Sequence, residues 1–372
     1  MTASHPRGAR RAVLALALFA VSASAAAQGP APAFGDVSTI AVSQTASPTY
    51  NSAQYLADRS AGSDYSGVVN LWFRNANNVV GSACTGTLLT GGKILTAAHC
   101  ISNVAYTSFT ARFYQTSTGW VEVQGTEMVA KTGYVPSYVV NEHDVAVLTL
   151  SSEPPSFART YSLAVGPVLG QTITLAGYGV IGDGNIGSSV NSNQFSDDAT
   201  LRTGKNVFET TCVTGVGTTA AYCATSVSGA AETRGGVLLA DFDRNGENTD
   251  SFRLCSELGF CTASVGTNFE EVLTGSGDSG SANFLSDWTV AGVSSFGWQE
   301  TGVGSKFGFH MGSACVAYVE NNAGCQSNYE WVNAQITTVP EPASVALMGA
   351  GLLGLWGVSR RRRAASRTST DA

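Results

Sequence analysis

The sequence is poor in charge. Asp, Glu, Lys and Arg together make up only 13% of 372 residues, against 44% hydrophobic residues and 42 glycines. A charge-poor, glycine-rich, β-branched composition suits an all-β fold with many turns and disfavours a helical bundle. Heptads and internal periods of repeat length are also missing, which excludes coiled coils and solenoids. No paired C-x-x-C motif occurs, and there are only four histidines, so a structural zinc site is a weak reading. Basic residues are scarce once the two ends are set aside. Removing residues 1–27 and 340–372, which hold eight arginines and two acids, leaves 12 basic and 25 acidic side chains, a net charge of −13. Such a balance argues against nucleic acid or anionic membrane surfaces as partners.

Long apolar runs are missing as well. The first of two short ones, Ala12 to Ala20, follows Arg7, Arg10 and Arg11 and leads to Ala25-Ala26-Ala27. A basic start, a short apolar run and an A-x-A-type end predict an export signal over residues 1–27, removed by signal peptidase. The second, Ala343 to Val358, follows Val339-Pro340-Glu341-Pro342 and precedes Arg360-Arg361-Arg362-Arg363. As a helix it would reach about 24 Å, a little short of a bilayer core. A plain membrane anchor with its arginines held on the cytoplasmic side is one reading. The Pro-Glu-Pro, apolar run and basic cluster also resemble the PEP-CTERM sorting signal of Gram-negative bacteria. That resemblance implies a transient anchor, cut by an exosortase-type enzyme that delivers the protein to the medium or the cell surface.

All eight cysteines lie between these ends: Cys84, Cys100, Cys212, Cys223, Cys255, Cys261, Cys315 and Cys325. An even number in an exported chain reads as disulfides whose connectivity stays open. The short successive spacings suggest four local loops, 84–100, 212–223, 255–261 and 315–325. Residues 28–59 show no clear periodicity and read as an N-terminal arm or propeptide. Strand patterns follow at Val68 to Phe73, Thr87 to Thr96, Val121 to Val129, Val145 to Leu150, Thr172 to Ala176 and Thr289 to Ser295. Short strands at turn-rich spacing predict β-barrels. Residues 179–199 read as a long surface loop between lobes, and Tyr329 to Ile336 as a terminal helix.

Three segments carry chemistry. His99 follows Leu95-Thr96-Ala97-Ala98 and precedes Cys100. Small alanines let a strand end pack closely, and a Cys84–Cys100 staple would fix the imidazole; a packed core histidine is the plainer reading. Asp144 opens the apolar run Val145 to Leu150, so its carboxylate is expected to be partly buried and in need of a partner. A strand-entry turn would also explain it, and the adjacent His143 reads as a bystander. Ser279 lies in Gly275-Ser276-Gly277-Asp278-Ser279-Gly280-Ser281. Alone this is a turn, yet it exposes a hydroxyl and offers the Gly277 and Ser279 N–H groups as an oxyanion hole.

Together, and in this order, the three segments resemble the trypsin/chymotrypsin family: Thr-Ala-Ala-His-Cys, Asp-Val-Ala-Val-Leu and Gly-Asp-Ser-Gly. Gly177-Tyr178-Gly179, Gly292 to Gly297 and the terminal helix extend the likeness over residues 60–336. The resemblance implies two six-stranded antiparallel β-barrels with the active site between them and a short C-terminal helix. It further implies a serine endopeptidase acting on protein or peptide substrates through His99, Asp144 and Ser279, with no cofactor required. Ser295, Phe296 and Gly297 would line the substrate strand and Leu273 the pocket base, where an aspartate would favour basic side chains. An apolar or small residue at the cleavage position is therefore expected.

Several features depart from the pattern. Asp278 would need a positive partner, normally a new N-terminus, but no Ile-Val-Gly-Gly stands near Asn51 to Ser60. Ser281 replaces a glycine. Asp241, Asp243 and Asn245 alternate in a D-x-D-x-N-G run that resembles a calcium loop, although Phe252 stands where a glutamate would close it; a solvated acidic turn fits as well. The expected organisation is a signal peptide (1–27), an arm (28–59), a protease domain (60–338), a sorting segment (339–363) and a tail (364–372), as an exported monomer. A catalytically silent surface binding or adhesion protein is the alternative.

Overall fold

The computed structural model describes residues 39–42, 57–102, 105–138, 140–183, 187–189, 199–212, 234–241, 272–298 and 310–337. All belong to one compact unit, Asp36–Ala372. Strand β1 (Thr39–Val42) comes first. The first lobe holds β2 (Val68–Asn75), β3 (Val80–Leu89), β4 (Lys93–Thr96), β5 (Tyr106–Gln115), β6 (Gly119–Gly125), β7 (Glu127–Ala130) and β8 (Ala146–Thr149). A one-turn helix, α1 (His99–Ser102), follows β4. The second lobe holds β9 (Thr172–Gly177), β10 (Val180–Asp183), β11 (Gly187–Ser189), β12 (Arg202–Val207), β13 (Thr210–Thr211) and β14 (Val237–Asp241). It continues with β15 (Val272–Leu273), β16 (Ala282–Phe284), β17 (Val290–Trp298), β18 (His310–Cys315) and helix α2 (Ala323–Thr337).

Two antiparallel sheets of seven segments dominate, ordered β6-β5-β2-β3-β4-β8-β7 and β12-β9-β16-β17-β18-β14-β13. In each sheet the two edge segments are neighbours in the chain. Only Thr126 separates β6 from β7, yet Gly125 pairs with Phe109 of β5 while Glu127 pairs with Thr149 of β8. Only Phe208 and Glu209 separate β12 from β13, which pair with β9 and β14 respectively. One bent strand thus serves both edges and curls each sheet onto itself. Each lobe is a six-stranded barrel whose closing strand is broken in two, and closure removes the open edges that a flat sheet would expose.

The interior follows from strand alternation. Leu71, Phe73, Leu88, Phe109 and Phe113 are all essentially inaccessible in the first barrel, and this core runs on to Phe284 and Val332 of the second half. Ile173, Leu175, Phe208, Leu238 and Met311 fill the second core. Each such side chain contributes about 1.5–3 kcal/mol by leaving water. The expected continuous strand Thr87 to Thr96 is instead a hairpin. Gly91 and Gly92 take φ of 73° and 67° and reverse the chain between β3 and β4.

Two segments expected to be featureless carry strands. Within the N-terminal arm, β1 lies between β10, parallel to it, and β15, antiparallel to it. Residues 179–199 follow β9, within the second half of the chain, and contain the β10–β11 hairpin. The terminal helix begins earlier than Tyr329, because the Asn322 side chain accepts the Cys325 N–H at 3.0 Å and caps it. A Cys315–Cys325 disulfide ties its first turn to β18. Among the described residues no helix is long and apolar enough to cross a membrane. The expected export signal and C-terminal apolar stretch lie outside the described residues.

Candidate active site

His99 begins α1, immediately after β4 delivers Ala97 and Ala98 to the buried interior. Cys100 is joined to Cys84 of β3, so the segment that carries the imidazole is fastened to the neighbouring strand. Cys84, His99 and Cys100 bring their ligand atoms within 4.8 Å of one another. With both sulfurs committed to the disulfide, this group has no thiolate to offer a metal.

Asp144 sits just before β8 and is 3% exposed. Its Oδ2 lies 2.7 Å from His99 Nδ1, and its Oδ1 accepts the His99 main-chain N–H at 2.8 Å. One carboxylate therefore fixes both the backbone and the ring of His99. The Ser295 hydroxyl donates to the same Oδ2. Ser295 reaches it because it is a bulge: Ser294 pairs with Ser313 and Phe296 with Gly312, leaving Ser295 unmatched in β17. Tyr134 stands on a further side. Burial, then the Asp144 charge, pushes its phenol up to about 12, against a hydrogen bond to Ser102.

The His99 pKa lies above its ordinary value. Burial acts to lower it, but the charge of Asp144 and the hydrogen bond to it together outweigh burial. The side chain keeps 27% of its surface exposed, which leaves a face of the ring accessible.

Ser279 lies on the turn before β16, held against the first lobe by Thr85 of β3. The Thr85 N–H donates to the Ser279 carbonyl at 2.9 Å and its hydroxyl donates to the Gly277 carbonyl at 2.8 Å. Cys100 Sγ lies 3.8 Å from that Ser279 carbonyl oxygen. Gly280, at φ 83°, permits this approach: a Cβ there would sit 2.0 Å from Thr96 Oγ1. Asp278 is wholly buried, and its two oxygens accept the Gly179 and Gly275 N–H groups at 2.7 and 2.8 Å. Gly177 and Gly179 leave room for that carboxylate.

Asp144 thus contacts both His99 and Ser295, while Thr85 and the Cys100 sulfur beside His99 hold the Ser279 turn against the first lobe. Leu273 is 2% exposed and packs within the second core. The Phe296 ring covers Gly312, where a Cβ would fall 2.1 Å from it, and Gly297 pairs with Met311. Cys212 is disulfide-bonded; Cys223, Cys255 and Cys261 lie outside the described residues, as do Asp243 and Asn245. Asp241 ends β14, and its carbonyl accepts from Asn206 at 2.8 Å. Sequence reasoning overlooked Thr85 and Tyr134. Neither stands in a motif, and their contacts span long stretches of chain.

The family model described as Trypsin matches residues 60–319. The model of the PEP-CTERM protein-sorting motif matches residues 338–363. Trypsin beta of Drosophila erecta is 33% identical over 108 residues, 28% of this chain and 42% of that protein. The chain thus spans about two fifths of the length of that curated relative. Among solved structures, an HL collagenase aligns with a TM-score of 0.47 at 17% identity, over 76% of this chain and 96% of the other. Mouse neuropsin, a serine protease expressed in the limbic system of the brain, aligns at 0.46 and 17%, over 76% and 98%. A Glu endopeptidase in complex with MPD aligns at 0.45 and 17%, over 76% and 96%.

Proposed function

Because the chain belongs to the trypsin family over residues 60–319, we propose that it is an exported serine endopeptidase that hydrolyses peptide bonds in protein or peptide substrates. The observation that carries this reading is the contact of Asp144 with both the ring and the backbone of His99, at 2.7 and 2.8 Å, beside the turn that bears Ser279. The Ser279 hydroxyl attacks the scissile carbonyl carbon while His99 takes its proton. Asp144 holds the imidazole tautomer and stabilises the imidazolium. The Gly277 and Ser279 N–H groups receive the oxyanion. His99 then gives its proton to the leaving amine, and water hydrolyses the acyl-enzyme through the same base. Nothing in this sequence needs a cofactor.

Ser295 acts from the opposite lobe by steadying Asp144, while the β17 backbone from Ser295 to Gly297 lines the substrate. Leu273 favours an apolar or small side chain at the cleavage position, since a buried leucine offers no counter-charge to Lys or Arg. A peptide-library digest is expected to show cleavage after such residues; cleavage after Arg would reject the preference. The sorting motif supports export and processing by an exosortase-type enzyme. The test of activity is covalent. A fluorophosphonate should label Ser279 in the mature protein, and Ser279→Ala should abolish the label. An unlabelled wild-type protein would favour a silent surface-binding role.

A further inference from the structure

Two residues before Asp144 stands a second buried carboxylate that the proposed reaction does not use. Glu142 is 6% exposed and belongs to the turn Asn141–Asp144. That turn is closed locally: the Asp144 N–H donates to the Asn141 carbonyl at 3.2 Å, and the His143 N–H to Asn141 Oδ1 at 3.0 Å. Asn141 and Asp144 tie it to the first half of the chain, through Val135 and His99, whereas the ties of Glu142 reach the other half. Glu142 Oε2 accepts the Gly236 N–H at 3.1 Å. The Glu142 carbonyl accepts from Asn328 of α2 at 2.7 Å, and the same amide group donates to the Cys315 carbonyl at 2.7 Å.

The surroundings are shaped to this side chain. A Cβ on Gly236 would fall 3.0 Å from Oε2, and one on Gly324 would fall 2.6 Å from it. Two glycines from separate segments therefore make the space that Glu142 fills. Lys131 lies close by, 7% exposed, with its ammonium donating to Ser327 Oγ at 3.0 Å. Burial lowers its pKa, and the charge of Glu142 acts to raise it. His143 Nε2 stands 3.9 Å from Glu142 Oε1.

We infer that Glu142 is a positioning residue, which fixes the Asp144 carboxylate by tying the turn that carries it to the Gly236 segment and to helix α2. This rests on the endopeptidase reading. His99 and Asp144 come from one barrel, while Ser279 and Ser295 come from the other. A tie two residues from Asp144 that spans both halves sets how those groups meet, and misplacing reacting groups by about 1 Å can cost a factor on the order of 100 in rate.

The test compares Glu142→Ala, Glu142→Asp and Glu142→Gln in the full chain, with rates normalised to active sites titrated by fluorophosphonate. Glutamine keeps an acceptor for the Gly236 N–H. Aspartate keeps the charge but withdraws the acceptor, and it serves if the alanine variant does not fold. Expected are a kcat about ten- to a hundredfold lower for alanine and aspartate, KM within about twofold, and near-complete recovery with glutamine. Alanine and aspartate should also shift the low-field proton resonance of the His99–Asp144 hydrogen bond, a readout that does not depend on turnover. Wild-type kcat with an unmoved resonance would overturn the inference, as would a glutamine variant as slow as alanine. If wild-type protein takes no label, the endopeptidase reading fails instead, and the resonance alone then decides the role of Glu142.

Discussion

His99 is subject to opposed influences, and their balance can be read from its titration. Burial disfavours the imidazolium, while Asp144 favours it through charge and a hydrogen bond, and Asp144 prevails. The general base must be neutral, so the acid limb of kcat/KM is expected above the ordinary imidazole value near pH 6.5. Asp144→Asn removes both raising influences and leaves burial. Its acid limb should fall below that of the wild type, with kcat lower by roughly 10⁴-fold. The stability linkage has a definite sign. A folded-state pKa raised above the unfolded one contributes stability that is full below about pH 6.5 and is lost as pH rises through the folded value. Denaturant titrations of the wild type and Asp144→Asn should therefore differ more at pH 5 than at pH 9; equal differences would contradict the raised pKa. Histidine scarcity made His99 legible in the sequence. The contact of Ser295 with Asp144 was not, since it depends on a bulge that no spacing rule marks.

Strands were legible where their apolar residues alternate or run unbroken, as in β2, β8 and β9. Strand β5 was passed over, although Phe109, Ala111 and Phe113 alternate with the polar Ser108, Thr110 and Arg112. Tertiary packing covers two of its polar residues: Thr110 and Arg112 are each 1% exposed, and Arg112 lies over the rings of Trp72 and Trp120 at 3.9 and 4.4 Å and is paired with Glu122. Strand β3 shows a further consequence of such packing. Its Thr85 is fully buried, donates to the Gly277 carbonyl and accepts the Tyr178 N–H at 3.1 Å. Thr85→Val keeps the shape and removes the hydroxyl, which strands a buried acceptor and a buried donor. The expected loss is about 1–3 kcal/mol for each group left unsatisfied, measured by urea unfolding. Labelling of Ser279 should slow as well, because the strand that pins the nucleophile turn has lost one of its two contacts. A valine variant with unchanged stability and labelling rate would show that the turn holds itself.

For the molecule as a whole, the two barrels explain why the candidate site lies where it does: each lobe closes on itself, and the proposed catalytic groups come from segments that join or bulge out of its strands. Helix α2 is the last described element. Helix α2 packs Val332, Tyr329, Trp331 and Ile336 against the first core and is anchored by Cys315–Cys325. Its last residue, Thr337, spends its hydroxyl on the Asn333 and Ala334 carbonyls of its own helix. The sorting motif starts at residue 338, with no linker between. Folding and sorting should then separate at that point. A chain ending at Thr337 keeps every contact that α2 makes with the other described residues, so its Tm should stay within about 1 °C of the tail-bearing protein, a change of less than roughly 0.5 kcal/mol. Its Ser279 should label at the same rate, while its delivery from the cell should change. A chain ending before Cys325 loses the disulfide partner of Cys315 and the apolar cover of the first core, and should not yield soluble folded protein. If ending the chain at Thr337 lowered Tm by several degrees, residues beyond the helix would have to contribute to the fold, and sorting could not be removed without loosening the barrel against which α2 packs.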